Sequence, residues 1–196
     1  MTNETRTGLR EALKLVAVTL KDGDAPFALA GGYALWARGA PESEHDVDFV
    51  VAEEDRGRVA DLLRDRGLEV VQPPEDWLFK VYVEGSMVDI LFRLNGIPIE
   101  RATLADVDEM EVESVQMPVL DATTLMSAKL QALDERACDL ATVIPAARAV
   151  REQVDWSAIV EATRDNDFAV VALLLLVRLG VLDEAVLGEN RRSESP

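Results

Sequence analysis

The chain has 196 residues, 48% apolar and 29% charged, and its 20 lysines and arginines against 37 acids leave a net charge of −17. At about 150 residues per domain this is one domain with an appendage or two small ones, and collagen-like, mucin-like and wholly disordered classes drop out. A pI of 4.4 excludes the broad basic footprint of a non-specific nucleic-acid binder and favours small cationic ligands or basic proteins, beside the plainer reading of a solvated acidic surface.

Leu9, Leu13, Val16 and Leu20 recur at helical spacing until KDGD at 21–24, which predicts an amphipathic first helix. FALAGG then reads as a short apolar strand ending in Gly31 and Gly32, and YALWARGA as a helix starting at once behind that turn. In HDVDFVV the residues alternate, with Val47, Phe49 and Val51 on one face of a second strand and Asp46, Asp48 and Val50 on the other. EEDRGRVADLLRDRG predicts a helix closed by Gly67, and LEVV a third strand before Pro73 and Pro74. WLFKVYVEGSMVDILFRL predicts a hairpin turning at Glu84, Gly85 and Ser86, with Asp89 on its second arm. VESVQMPVL reads as one further strand.

From Asp121 the texture becomes helical. Apolar residues at 126, 130, 133, 137, 140 and 144 predict one sustained helix carrying Lys129, Arg136, Cys138 and Asp139, which Pro145 breaks or kinks. Two shorter helices follow, at about 155–164 and 167–179, and ENRRSESP at 189–196 reads as a frayed tail. The expected organisation is a mixed-sheet α/β (α+β) unit over 1–118 and a helical half over 119–188. One cysteine, Cys138, forms no intrachain disulfide and points to the cytosol. The polar start MTNETRTGLR carries no secretion signal, and the apolar run Phe168–Val177 is too short to span a bilayer.

The chemistry concentrates in three acids. Asp46 and Asp48, at i and i+2 on a strand, project from one face and are able to share a divalent cation. Asp89 is flanked by apolar neighbours, and an unpaired carboxylate there is costly unless something such as a metal justifies it. Three converging carboxylates suit two Mg²⁺ ions and in-line nucleotidyl transfer, while the Gly31–Gly32 turn offers bare backbone N–H groups to phosphate oxygens. Lys80 reads either as a phosphate contact or as a strand-surface charge, and His45 either as a triphosphate contact or as an exposed loop residue. Trp36, Trp77 and Trp156 read as core or rim packing.

In order and approximate spacing, Gly31-Gly32, the D-V-D at 46–48 and the lone strand Asp89 resemble the DNA polymerase β-like nucleotidyltransferase superfamily, over most of residues 25–95. The resemblance implies a mixed β-sheet with flanking helices, an NTP co-substrate and Mg²⁺ or Mn²⁺. It makes Asp46, Asp48 and Asp89 the metal-binding and catalytic residues, with Gly31, Gly32 and Lys129 at the nucleotide, where Lys80 joins them if its strand position is read as a phosphate contact. Many relatives have Ser or Thr just before the first aspartate, whereas here Glu44 and His45 intervene after Ser43. Lys129, Arg136 and Asp139 resemble the Lys, Arg, Asp helix motif of abortive-infection (AbiEii-type) nucleotidyltransferases, in which the lysine contacts the triphosphate. The helical half would then choose the acceptor. A cationic small molecule such as an aminoglycoside suits the charge, while tRNA or protein, as in toxin-type relatives with an antitoxin partner, requires a basic strip. The alternative is a non-catalytic binding or regulatory module on the same fold.

Overall fold

The computed structural model describes residues 3–43 and 46–188, so the expectations for His45, Glu44 and the tail at 189–196 lie outside the described residues. The chain divides into two compact units: Met1–Ala37 with Glu42–Leu120, and Arg38–Pro41 with Asp121–Pro196. In chain order the first unit holds α1 (Asn3–Lys21), β1 (Phe27–Ala30), α2 (Gly31–Ala37), β2 (Val47–Val51), α3 (Arg56–Asp65) and β3 (Glu69–Val71). It continues with β4 (Leu78–Val83), β5 (Ser86–Leu91), β6 (Arg93–Leu94), β7 (Ile97–Pro98), β8 (Asp108–Val112) and β9 (Val115–Val119). The second holds α4 (Ala122–Gln131), α5 (Leu140–Val150), α6 (Trp156–Thr163), α7 (Asp167–Arg178) and α8 (Ala185–Gly188).

The first unit is a mixed seven-stranded sheet in the order β3-β4-β5-β2-β1-β9-β8, parallel at β2/β5 and β1/β9 and antiparallel elsewhere. Helix α1 buries Leu9, Leu13, Val16 and Leu20 together with Ala12 and Ala17, and packs on β5 and α3. Val47, Phe49, Val88 and Ile90 are fully buried, because β2 and β5 are central strands with apolar side chains at alternate positions. The β4–β5 hairpin turns through Glu84 and Gly85, both at positive φ, the backbone that matches a two-residue turn to strand twist. Asn95-Gly96 does the same between β6 and β7.

Two strand expectations change. The stretch 112–120 is not one strand, since Glu113 and Ser114 at positive φ fold it into the β8–β9 hairpin. Asp46 lies one residue before β2 rather than inside it.

The sustained helix expected over 121–144 is two helices. Asn166 donates from Nδ2 to the carbonyls of Gln131 and Leu133, taking up acceptors where α4 ends. Asp134 then accepts the backbone N–H groups of Arg136 and Ala137, holding the intervening segment in a turn. Asp139 caps α5 by accepting the N–H of Ala141. Arg136 and Cys138 therefore lie between helices, and Asp139 is a cap. Pro145 does not break the helix. It falls in the second turn of α5, where its missing N–H removes only an early intrahelical bond. Among the described residues no helix is long and apolar enough to cross a membrane.

Candidate functional site

The strand register assembles the site. Asp48 is opposite Ala30 on β1 and opposite Asp89 on β5, and Asp89 is opposite Lys80 on β4. Residues directly opposite each other in a sheet share a face, so both carboxylates and the lysine project together, with Asp46 joining from the residue before β2. Asp46, Asp48 and Asp89 each offer a carboxylate oxygen, and these oxygens lie within 4.8 Å of one another. Three hard anionic donors at that separation fit Mg²⁺ or Mn²⁺.

Gly31 closes one side. Its φ of +57° is a backbone state that L side chains adopt at a cost, and a Cβ there would collide with the Asp48 carboxylate. A Cβ on Gly32 would stand 2.6 Å from Ser43 Oγ, so Ser43 covers the second glycine. The glycine pair thus lets a carboxylate and a hydroxyl close onto the backbone.

Asp89 is nearly buried, its side chain 8% exposed against 22% for Lys80, whose Nζ lies 2.9 and 3.2 Å from the two Asp89 oxygens. The lone strand acid expected from the sequence therefore has a protein partner. Burial pushes the Asp89 carboxyl above the usual carboxylate range; Lys80 pulls it back, and nearby Asp46 adds to the rise. For Lys80, burial works to lower the ammonium, but the hydrogen bond and charge of Asp89 outweigh it and hold it above its ordinary value.

A raised carboxyl value means that the folded chain binds this proton more tightly than the unfolded one, so its contribution to stability is full below the ordinary value of 3.8 and is lost as pH rises through the folded value. In chelator, the urea midpoint of Asp89→Asn relative to the unsubstituted chain is expected to move upward between about pH 4 and neutrality. A difference that is constant or falls over that range would mean that Lys80 outweighs burial.

Sequence reasoning missed an ion pair between α1 and the segment that follows α2. Arg10 on α1 donates from Nε and Nη2 to the two Glu42 oxygens, at 2.8 Å each, and stacks over Trp36 with its guanidinium 5.1 Å from the ring centroid. Glu42 is held below the ordinary carboxylate range chiefly by that hydrogen bond. No periodicity marks the pair, because its members are 32 residues apart. Lys129 lies on α4 of the second unit and is half-buried.

No family model and no curated protein matches the chain. Solved structures do match. The antibiotic-resistance factor ANT(2'')-Ia aligns over 84% of this chain and 95% of its own, with a TM-score of 0.58 at 14% identity. An antigenic nucleotidyltransferase-like protein from Paracoccidioides brasiliensis aligns over 88% of each chain, with a TM-score of 0.53 at 13% identity. The chain therefore has the nucleotidyltransferase fold, a mixed α/β architecture with the acidic cluster on its central strands.

Proposed function

We propose that the chain is a divalent-cation-dependent nucleotidyltransferase, moving NMP from an NTP to an acceptor hydroxyl. The observation that carries this reading is the convergence of the Asp46, Asp48 and Asp89 oxygens within 4.8 Å beside the glycine turn, on this fold. In the reaction the acceptor oxygen bonds to the α-phosphorus, the bond from that phosphorus to the bridging oxygen breaks, and pyrophosphate leaves. Asp46, Asp48 and Asp89 would hold Mg²⁺ or Mn²⁺, which when bound neutralises charge on the phosphates and orients them. Asp89, made more basic by burial, would accept the proton of the acceptor hydroxyl. Backbone groups of Gly31 and Gly32 would contact the phosphates, whereas Lys80, the expected phosphate contact on β4, is paired with Asp89. Lys129 stays in the reading by resemblance alone, as does a cytosolic site of action through Cys138. Positioning and charge neutralisation supply the rate, and no covalent protein intermediate is required.

For the acceptor we propose a small cationic molecule of the aminoglycoside kind. The net charge of −17 draws cations and repels polyanions, and ANT(2'')-Ia is an antibiotic-resistance factor. In the second unit the exposed Arg151 is paired with Glu152 at 2.9 Å, and the exposed Arg164 with Glu161. The test incubates the chain with Mg²⁺ and each α-labelled NTP against aminoglycosides, tRNA and protein. Label on a cationic small molecule, with an apparent KM that rises with salt, is the expected result. Label on tRNA alone, with affinity falling by about a thousandfold between roughly 50 and 200 mM salt, would replace it with the toxin-type reading and its antitoxin partner. NTP binding without transfer to any acceptor favours the non-catalytic module.

A further inference from the structure

Lys80, Asp89 and Asp48 occupy one transverse row across β4, β5 and β2, and Asp46 adds a third carboxylate to it. The formal charge of the acids is −3, and the ammonium brings the row to −2, which one divalent ion cancels. Both Asp89 oxygens already face a cation, at 2.9 and 3.2 Å. That ammonium is held by the two oxygens and by Met87 Sδ at 3.4 Å, and strand pairing sets its residue directly opposite Asp89. A strand lysine with room to reach water ordinarily extends its head into it. This one is folded back onto a nearly buried carboxylate.

Resting on the reading of the cluster as a cation site, we propose that Lys80 is a positioning residue that takes, against Asp89, the place of a second divalent cation, so that the cluster binds one such ion and not two. The ammonium fixes the Asp89 carboxylate before any metal arrives and repels a second dication by Coulomb interaction at short range. Arginine in its place keeps the charge; methionine keeps the stem and loses it.

The test counts Mn²⁺ bound to the full chain without nucleotide, by the electron paramagnetic resonance signal of the free ion and by calorimetry. The unsubstituted chain and Lys80→Arg are expected to bind one ion and Lys80→Met two. In chelator Lys80→Met should melt below the unsubstituted chain and recover on adding Mn²⁺, because the ion then takes over the neutralisation of Asp89. If Lys80→Met does not fold in chelator, folding on Mn²⁺ addition supports the proposal and failure to fold with Mn²⁺ counts against it. Two ions on the unsubstituted chain, or one on folded Lys80→Met, overturns the proposal while leaving nucleotidyl transfer intact. No Mn²⁺ on either chain removes the cation site, and the proposed function with it.

Discussion

Asp48→Asn is expected to lower nucleotidyl transfer by at least about a hundredfold and to weaken Mn²⁺ binding in parallel, with little change in folding. The reason is its place in the row. Asp48 stands between Ala30 and Asp89, and its carboxylate is one of the three whose oxygens converge within 4.8 Å. Asparagine keeps the size and one oxygen but removes the charge that attracts the ion. Asp48 is half-buried in a cluster of like charges, so the substitution relieves repulsion and leaves the apolar face of β2 untouched. Calorimetric titration with Mn²⁺ and transfer of labelled NMP check this, with urea unfolding as the control. Full Mn²⁺ affinity in folded Asp48→Asn would remove Asp48 from the cation site.

The second large effect lies at Gly31. An alanine at φ +57° costs roughly 1–2 kcal/mol in backbone strain, and its Cβ would also overlap the Asp48 carboxylate. Either the carboxylate moves or the β1–α2 turn does, so Gly31→Ala should lose stability and cation affinity together. Gly67, at φ +81° and with nothing within 4 Å of where a Cβ would stand, is the control for strain alone. Gly67→Ala should lower the urea midpoint while leaving Mn²⁺ affinity unchanged. Equal Mn²⁺ affinity in the two glycine variants would show that the close approach of Asp48 is not needed for the site.

Much of this chain was legible because its signals are local. The i, i+3, i+4 spacing of Leu9, Leu13 and Val16 and the alternation of Val47, Phe49 and Val51 follow from backbone geometry, and so identify α1 and β2 without tertiary information. The order Gly31-Gly32, Asp46, Asp48, Asp89 pointed to the fold that the solved structures share. Where a local pattern competed with polar contacts from afar, it misled: the apolar stripe over 126–144 promised one helix, but Asn166, over thirty residues away, takes up carbonyls at the end of α4.

The composition, the element types and the three acids are properties of the sequence by itself, because each depends on residue identity and short spacing. The hairpin that pairs β5 antiparallel to β4 was legible in the sequence, but tertiary structure alone decided that β5 lies parallel beside β2, which sets Asp89 between Asp48 and Lys80. It also decided that the Asp48 carboxylate closes onto Gly31, and that Arg10 reaches Glu42. Strand order and register are set by how apolar faces bury against one another across the whole unit, and a one-residue slip would turn each of these side chains to the opposite face.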